Sequence, residues 1–227
     1  ALLGFVGYDG DGLYGLEQYY DVYLKGREGV WYGVRDPWGK LVTLYSDGYR
    51  PARDGYNMTL TIDRNVQFRA EQLLAERVER HKAASGNLVV MEVETGAIVA
   101  MAQVPTFEPA RFWDLKYKDQ WANTSISHIY EPGSAFKVLT LAAALDAKAI
   151  SPETTYDDRG EVQIGDQRIY NSDRRAHQQT TMTELLGYSL NVGAVFVATE
   201  LGETRYYEVM RRFGFGEITG IDLALEE

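Results

Sequence analysis

Apolar and polar positions along the chain fall into short blocks, and each change of period marks an element. Leu88-Val89-Val90-Met91-Glu92-Val93 and Ala97-Ile98-Val99-Ala100-Met101 flank Glu94-Thr95-Gly96, which is the pattern of an antiparallel hairpin. Upstream, residues 57–63 read as a short strand. Asp63 is then placed to cap a helix from about 64 to 82, with Val66, Ala70, Leu73, Leu74 and Val78 on one face. Leu41-Val42-Thr43-Leu44-Tyr45 predicts a further strand, ended by a turn at Ser46-Asp47-Gly48. The run from Val138 to Leu145 is apolar nearly all round, so a helix over 134–148 is expected to be buried on most sides. Residues 151–180 are polar and loop-like, with short strands at 161–164 and 167–170. Thr180 or Thr181 caps a helix that opens with Met182-Thr183-Glu184, and two more helices follow over 194–201 and 204–213. The first residues form a Gly-rich loop leading to a short helix at about 15–24, while 105–121 is irregular and aromatic. Helices mixed with an antiparallel hairpin predict an α+β fold, an antiparallel sheet with helices packed on it.

Composition narrows the function more than the fold. The chain has 227 residues, 45% of them hydrophobic, which is ample for a real core. A formal charge of −10 and a pI near 4.9 argue against a nucleic-acid partner, because phosphates need a basic surface. The 16 tyrosines are therefore assigned to packing and surface rather than to base stacking. With no cysteine there are neither disulfides nor thiolate metal sites, and His81, His128 and His177 make no ligand pair. No metal or cofactor is expected. No apolar run approaches the roughly 20 residues that span a bilayer, and the start, Ala1-Leu2-Leu3, lacks the basic opening of a signal peptide. So abrupt a beginning suggests a piece of a longer protein.

The candidate chemistry lies at Glu131-Pro132-Gly133-Ser134-Ala135-Phe136-Lys137. Pro132 and Gly133 are turn residues, which places Ser134 at or in the first turn of the apolar helix. A spacing of i,i+3 sets its hydroxyl and the Lys137 amine on one face. Burial disfavours the charged form of a lysine, and a serine beside a lysine able to act as base is one route to an activated hydroxyl. The helix start adds partial positive charge for a developing anion. A second polar motif, Ser189-Leu190-Asn191, sits between apolar helical stretches. Alone, each motif is more often a cap, a turn or a solvated side chain than a site.

Together and in this order, S-x-x-K and S-x-N match the first two signatures of the penicillin-recognising serine transpeptidases. Residues 130–137 resemble the nucleophile segment of penicillin-binding proteins. Leu60-Thr61-Ile62-Asp63, with Gln67 and Glu71, resembles the opening of their transpeptidase domain. Residues 93–101 are similar to its first hairpin, with Glu94 where a proline is more usual. Gly7-Tyr8-Asp9-Gly10 through Gly15-Leu16-Glu17, with Leu24-Lys25-Gly26, resembles the end of the non-catalytic pedestal of the class B, monofunctional subgroup. The resemblance divides the chain into a pedestal part, 1–56, and the N-terminal portion of a transpeptidase domain, 57–227.

It also implies roles. Ser134 is the acyl-accepting nucleophile, Lys137 its base, Ser189 a proton relay toward the leaving amine, and Asn191 a holder of the substrate amide. The substrate is the D-alanyl-D-alanine end of a peptidoglycan stem peptide, with β-lactams as trapping mimics. The Ser134 N–H is a natural first oxyanion donor. The implied place is the outer face of the bacterial cytoplasmic membrane, beside a glycosyltransferase partner. The family's third motif, Lys-Ser/Thr-Gly, is absent: none of the lysines at 25, 40, 82, 116, 118, 137 and 148 is followed by Ser/Thr-Gly. A missing C-terminal segment that carries it is therefore an expected partner, and residues 1–227 alone are expected to be inactive. A β-lactam sensor or an inactive binding module of the same fold is the competing reading, with a serine β-lactamase third. The pedestal-like residues 1–56 favour the transpeptidase over both.

Overall fold

The computed structural model describes residues 1–44 and 49–226. The turn predicted at Ser46-Asp47-Gly48, and Tyr45 before it, lie outside the described residues. The chain forms two compact units, residues 1–129 with 220–227 and residues 130–219.

The first unit opens with a small hairpin of β1 (Phe5–Val6) and β2 (Gly12–Leu13). The helix expected over 15–24 is two short pieces, α1 (Gly15–Tyr19) and α2 (Asp21–Leu24), which part at Tyr20. The strands β3 (Gly33–Arg35) and β4 (Leu41–Leu44) pair antiparallel. α3 (Arg64–His81) starts where the sequence places it, because the Asp63 carboxylate accepts from the N–H groups of Asn65 (2.8 Å) and Val66 (3.0 Å).

The predicted hairpin is β5 (Gly86–Met91) and β6 (Ile98–Val104), in antiparallel register from Gly86 opposite Val104 to Met91 opposite Ile98. Ala70 and Leu74 of α3 bury against Ala100 and Ala102 of β6, small residues that let helix and sheet approach closely. Val66, expected on that face, is exposed instead, since it lies in the turn before the contact begins.

Residues 57–63 are not a strand. They run beside β6 with a bend at Thr61, giving it two isolated bonds, Thr61 Oγ1 to Ile98 O (2.6 Å) and Asp63 N–H to Val99 O (2.9 Å). Gln67 continues the edge with its side-chain amide, donating to Met101 O (3.0 Å) and accepting from Met101 N–H (2.8 Å). The aromatic stretch 105–121 folds into two 3₁₀ turns, Pro109–Arg111 and Leu115–Gln120. Its Phe107, Phe112 and Trp121 pack around Phe5, with ring centroids 4.8 to 5.8 Å away. Thus tyrosine- and phenylalanine-rich segments far apart in sequence share one cluster. A single turn, α4 (Thr124–Ser127), follows.

The second unit is built on α5 (Lys137–Asp146), preceded by a 3₁₀ turn at Gly133–Phe136. Its remaining elements are β7 (Thr155–Asp158), β8 (Glu161–Ile164), β9 (Gln167–Tyr170), β10 (Gln178–Thr181), α6 (Met182–Tyr188), α7 (Asn191–Leu201) and α8 (Glu203–Arg212). β8 pairs with β9 over the residues expected. β7 pairs with β10, in a stretch expected to be loop. Thr181 caps α6 in a capping box with Glu184.

The core joins Leu141 and Ala144 of α5 to Leu185 of α6, Val192 and Val197 of α7, and Met210 of α8. One expectation is corrected here. α5 buries a single face, and Val138 and Leu145 stand exposed on the other, because its packing partners within the unit lie on one side. Among the described residues, no helix is long and apolar enough to cross a membrane.

Candidate active site

Gly133, at φ 62°, takes a backbone conformation that a side chain would strain, and it turns the chain into the 3₁₀ segment. Ser134 occupies that first turn, exposed to solvent, where the leading N–H groups have no acceptor within the helix. The Ser134 N–H is among them. Three residues on, Lys137 begins α5 with only 8% of its surface exposed.

The S-x-N motif reaches the same place from the far side of the unit. Ser189 ends α6 in the left-handed conformation (φ 54°), and Leu190 returns its N–H to Leu185 O (2.9 Å). Asn191 then opens α7. This tight reversal points three oxygens at Lys137. Its Nζ donates to Ser189 O (2.6 Å), Ser189 Oγ (3.1 Å) and Asn191 Oδ1 (2.6 Å). The Asn191 amide is held at its other end too, where Nδ2 donates to Tyr170 O (2.8 Å).

These contacts are chemically unequal. The Ser189 carbonyl and Asn191 Oδ1 can only accept, whereas the Ser189 hydroxyl can donate or accept. An ammonium satisfies all three. A neutral amine satisfies the two obligatory acceptors with its own N–H groups and keeps a lone pair for an incoming proton. Burial holds the Lys137 amine below the ordinary lysine value.

Lys137, Ser189 and Asn191 are therefore one hydrogen-bonded group. Ser134 stands one turn before Lys137 in sequence, and its hydroxyl makes no bond to the amine. The Tyr170 carbonyl was not foreseen as part of the site, since a backbone group leaves no mark on the sequence. Among the described residues, no cluster of His, Cys, Asp and Glu is arranged to hold a metal.

Residues 86–227 match the penicillin binding protein transpeptidase domain. Stage V sporulation protein D of Bacillus subtilis is 35% identical over 98% of this chain and 34% of its own length. Peptidoglycan D,D-transpeptidase FtsI of Escherichia coli K12 is 28% identical over 99% of this chain and 37% of its own. Among solved structures, penicillin binding protein 3 of Mycobacterium tuberculosis superimposes with a TM-score of 0.80 at 30% identity, covering 100% of this chain and 47% of that one. A peptidoglycan glycosyltransferase, so described, from Atopobium parvulum gives 0.81 at 32% identity, over 100% of this chain and 50% of that one. The chain belongs to the penicillin-binding protein transpeptidase family. It spans about a third of the length of the curated relatives it matches.

Proposed function

We propose that this chain carries the nucleophile half of a peptidoglycan D,D-transpeptidase of the class B kind, a cell-wall cross-linking enzyme. The Ser134 oxygen attacks the carbonyl of the penultimate D-alanine of a stem peptide, and the Ser134 proton passes to Lys137. The Ser134 N–H donates to the oxyanion that forms. Collapse breaks the peptide bond, and Ser189 relays a proton from Lys137 to the departing D-alanine nitrogen. The acyl group is then taken by the amine of a second stem peptide, which gives up one proton and regenerates the Ser134 hydroxyl. A β-lactam enters the same first step and stays on the serine. Asn191 orients Lys137 and, with its remaining N–H, the substrate amide.

The observation that carries this reading is the buried Lys137, tied to Ser189 and Asn191 one turn from an exposed serine and held toward its neutral form. Penicillin binding protein 3 of Mycobacterium tuberculosis, solved in complex with ampicillin, supports the choice of β-lactams as mimics. Residues 1–56 act as the end of a pedestal and 57–227 as the first part of the transpeptidase domain. The full-length protein works at the outer face of the cytoplasmic membrane with a glycosyltransferase partner, and a segment bearing Lys-Thr-Gly completes its site.

The test labels the full-length protein with a fluorescent penicillin. Ser134→Ala is expected to abolish covalent uptake, and label retained by that variant would refute the assignment.

A further inference from the structure

Behind the S-x-N motif lies a set of buried polar groups that the proposed chemistry does not use. Asp158 is fully buried and Asn171 is 1% exposed, both within a stretch whose composition suggests loop. Asp158 Oδ2 accepts from the Tyr156 hydroxyl (2.9 Å), and Oδ1 accepts from Gly160 N–H (2.8 Å) and Asn171 Nδ2 (2.8 Å). Asn171 Nδ2 donates also to Arg175 O (3.2 Å), and its Oδ1 accepts the Val192 N–H (3.1 Å). That N–H belongs to the first turn of α7, which has no capping side chain of its own because its N-cap residue is Leu190. Asn171 therefore caps α7 from a distant segment. The preceding residue, Tyr170, gives its carbonyl to Asn191 Nδ2. Tyr156 completes the arrangement: its ring stacks on Phe196 of α7, centroids 5.2 Å apart. Its hydroxyl lies so close to Gly193 that a Cβ there would be 2.4 Å away.

We infer that Tyr156, Asp158 and Asn171 form a buried clamp that positions Asn191 and, through it, the Lys137 amine. The inference rests on the reading of Ser134 and Lys137 given above. A serine or aspartate at position 190 would cap α7 equally well, but would not add a tie between Val192 and residue 171 to the one between Asn191 and Tyr170. Capping by Asn171 ties two consecutive residues, 170 and 171, to two consecutive residues, 191 and 192. Asn191 then cannot flip its amide. Nδ2 must face the Tyr170 carbonyl, so Oδ1 must face Lys137. None of the three clamp residues bonds to Lys137, whose partners are Ser189 and Asn191, so they are positioning residues.

In the full-length protein, the acylation rate constant and the non-covalent dissociation constant for fluorescent penicillin are measured separately, with the melting temperature alongside. Asn171→Ala and Asp158→Ala are expected to lower the rate constant roughly tenfold or more while moving the dissociation constant less than about twofold. Asp158→Asn should recover to within roughly threefold of the parent, since its amide oxygen can still accept from Gly160 and Asn171 while the Tyr156 hydroxyl turns to accept.

Alanine variants that fold and acylate like the parent would overturn the inference. So would Asp158→Asn behaving as Asp158→Ala, or rate and affinity falling together. If the alanine variants fail to fold, Tyr156→Phe decides. A lower rate constant at unchanged affinity supports the clamp, and an unchanged rate constant refutes it. Failure of the transpeptidase reading shows separately, as covalent label surviving Ser134→Ala.

Discussion

At Lys137, two demands on one amine pull in opposite directions. Burial favours the neutral form, while three oxygen neighbours favour the ammonium, and the burial effect prevails. A folded-state value below the ordinary one means that the native chain binds fewer protons than the unfolded chain between the two values. Stability therefore rises with pH across that window, and below it the buried charge is a cost. Penicillin acylation should rise with the neutral fraction, along a limb whose midpoint lies below the ordinary lysine range. A limb whose midpoint lies at or above the ordinary lysine value would contradict this. Lys137→Arg, which keeps the charge but cannot lose it, should abolish labelling, and near-normal labelling would remove Lys137 from the role of base. Ser189 offers a complementary probe because its left-handed backbone suits glycine better than serine. Ser189→Gly should leave the fold at least as stable while slowing acylation, so a slower rate with a lowered melting temperature would point to damage rather than a lost relay. Both motifs stand out in the sequence by their residue types and spacing. The pairing of Asn191 with Lys137 does not, since it depends on a reversal at Ser189 that no local pattern specifies.

Among the elements, the legible ones are those whose buried positions are apolar and whose ends carry caps. Asp63 and α3, Thr181 and α6, and the hairpin of β5 and β6 all follow from such signals. β7 and β10 escaped because the residues they bury are Tyr156, Asp158 and Thr180, so the alternation of inside and outside is masked by polar side chains. Residues 57–63 misled in the opposite sense. They bond to β6, but too sparsely to form a ladder. Two substitutions test the elements. Asp63→Ala should lower stability by about 1 kcal/mol in urea unfolding, through loss of the α3 cap, and no change would mean the cap contributes nothing. Gly193→Ala should cost about 1–3 kcal/mol, because the added carbon would lie 2.4 Å from the Tyr156 hydroxyl and 2.6 Å from Leu185. A neutral result there would show that α7 can shift freely on its support.

For the molecule as a whole, β5 pairs on its other edge with no strand among the described residues, and Val89 and Met91 are exposed beside that edge. Such an edge invites pairing with another chain. Purified alone, residues 1–227 should take up no penicillin, since they carry no Lys-Ser/Thr-Gly, and should show a concentration-dependent mass above 25.6 kDa. Val89→Lys should reduce that association, and a stable monomer that acylates normally would contradict both expectations. The division into two units has a further consequence. The first unit is closed by residues made after the whole of the second: Leu223 is buried in it, and a hydrogen bond to Asp222 pushes the Tyr20 hydroxyl up to about 12. A ribosome therefore releases all of residues 130–219 before it releases the piece that finishes the unit begun first. The unit begun second can thus become protease-resistant while the first still waits, an inversion of the usual N-terminal-first order. Nascent chains stalled just after Thr219 has emerged should show that order, and equal protection of both units at that length would exclude it.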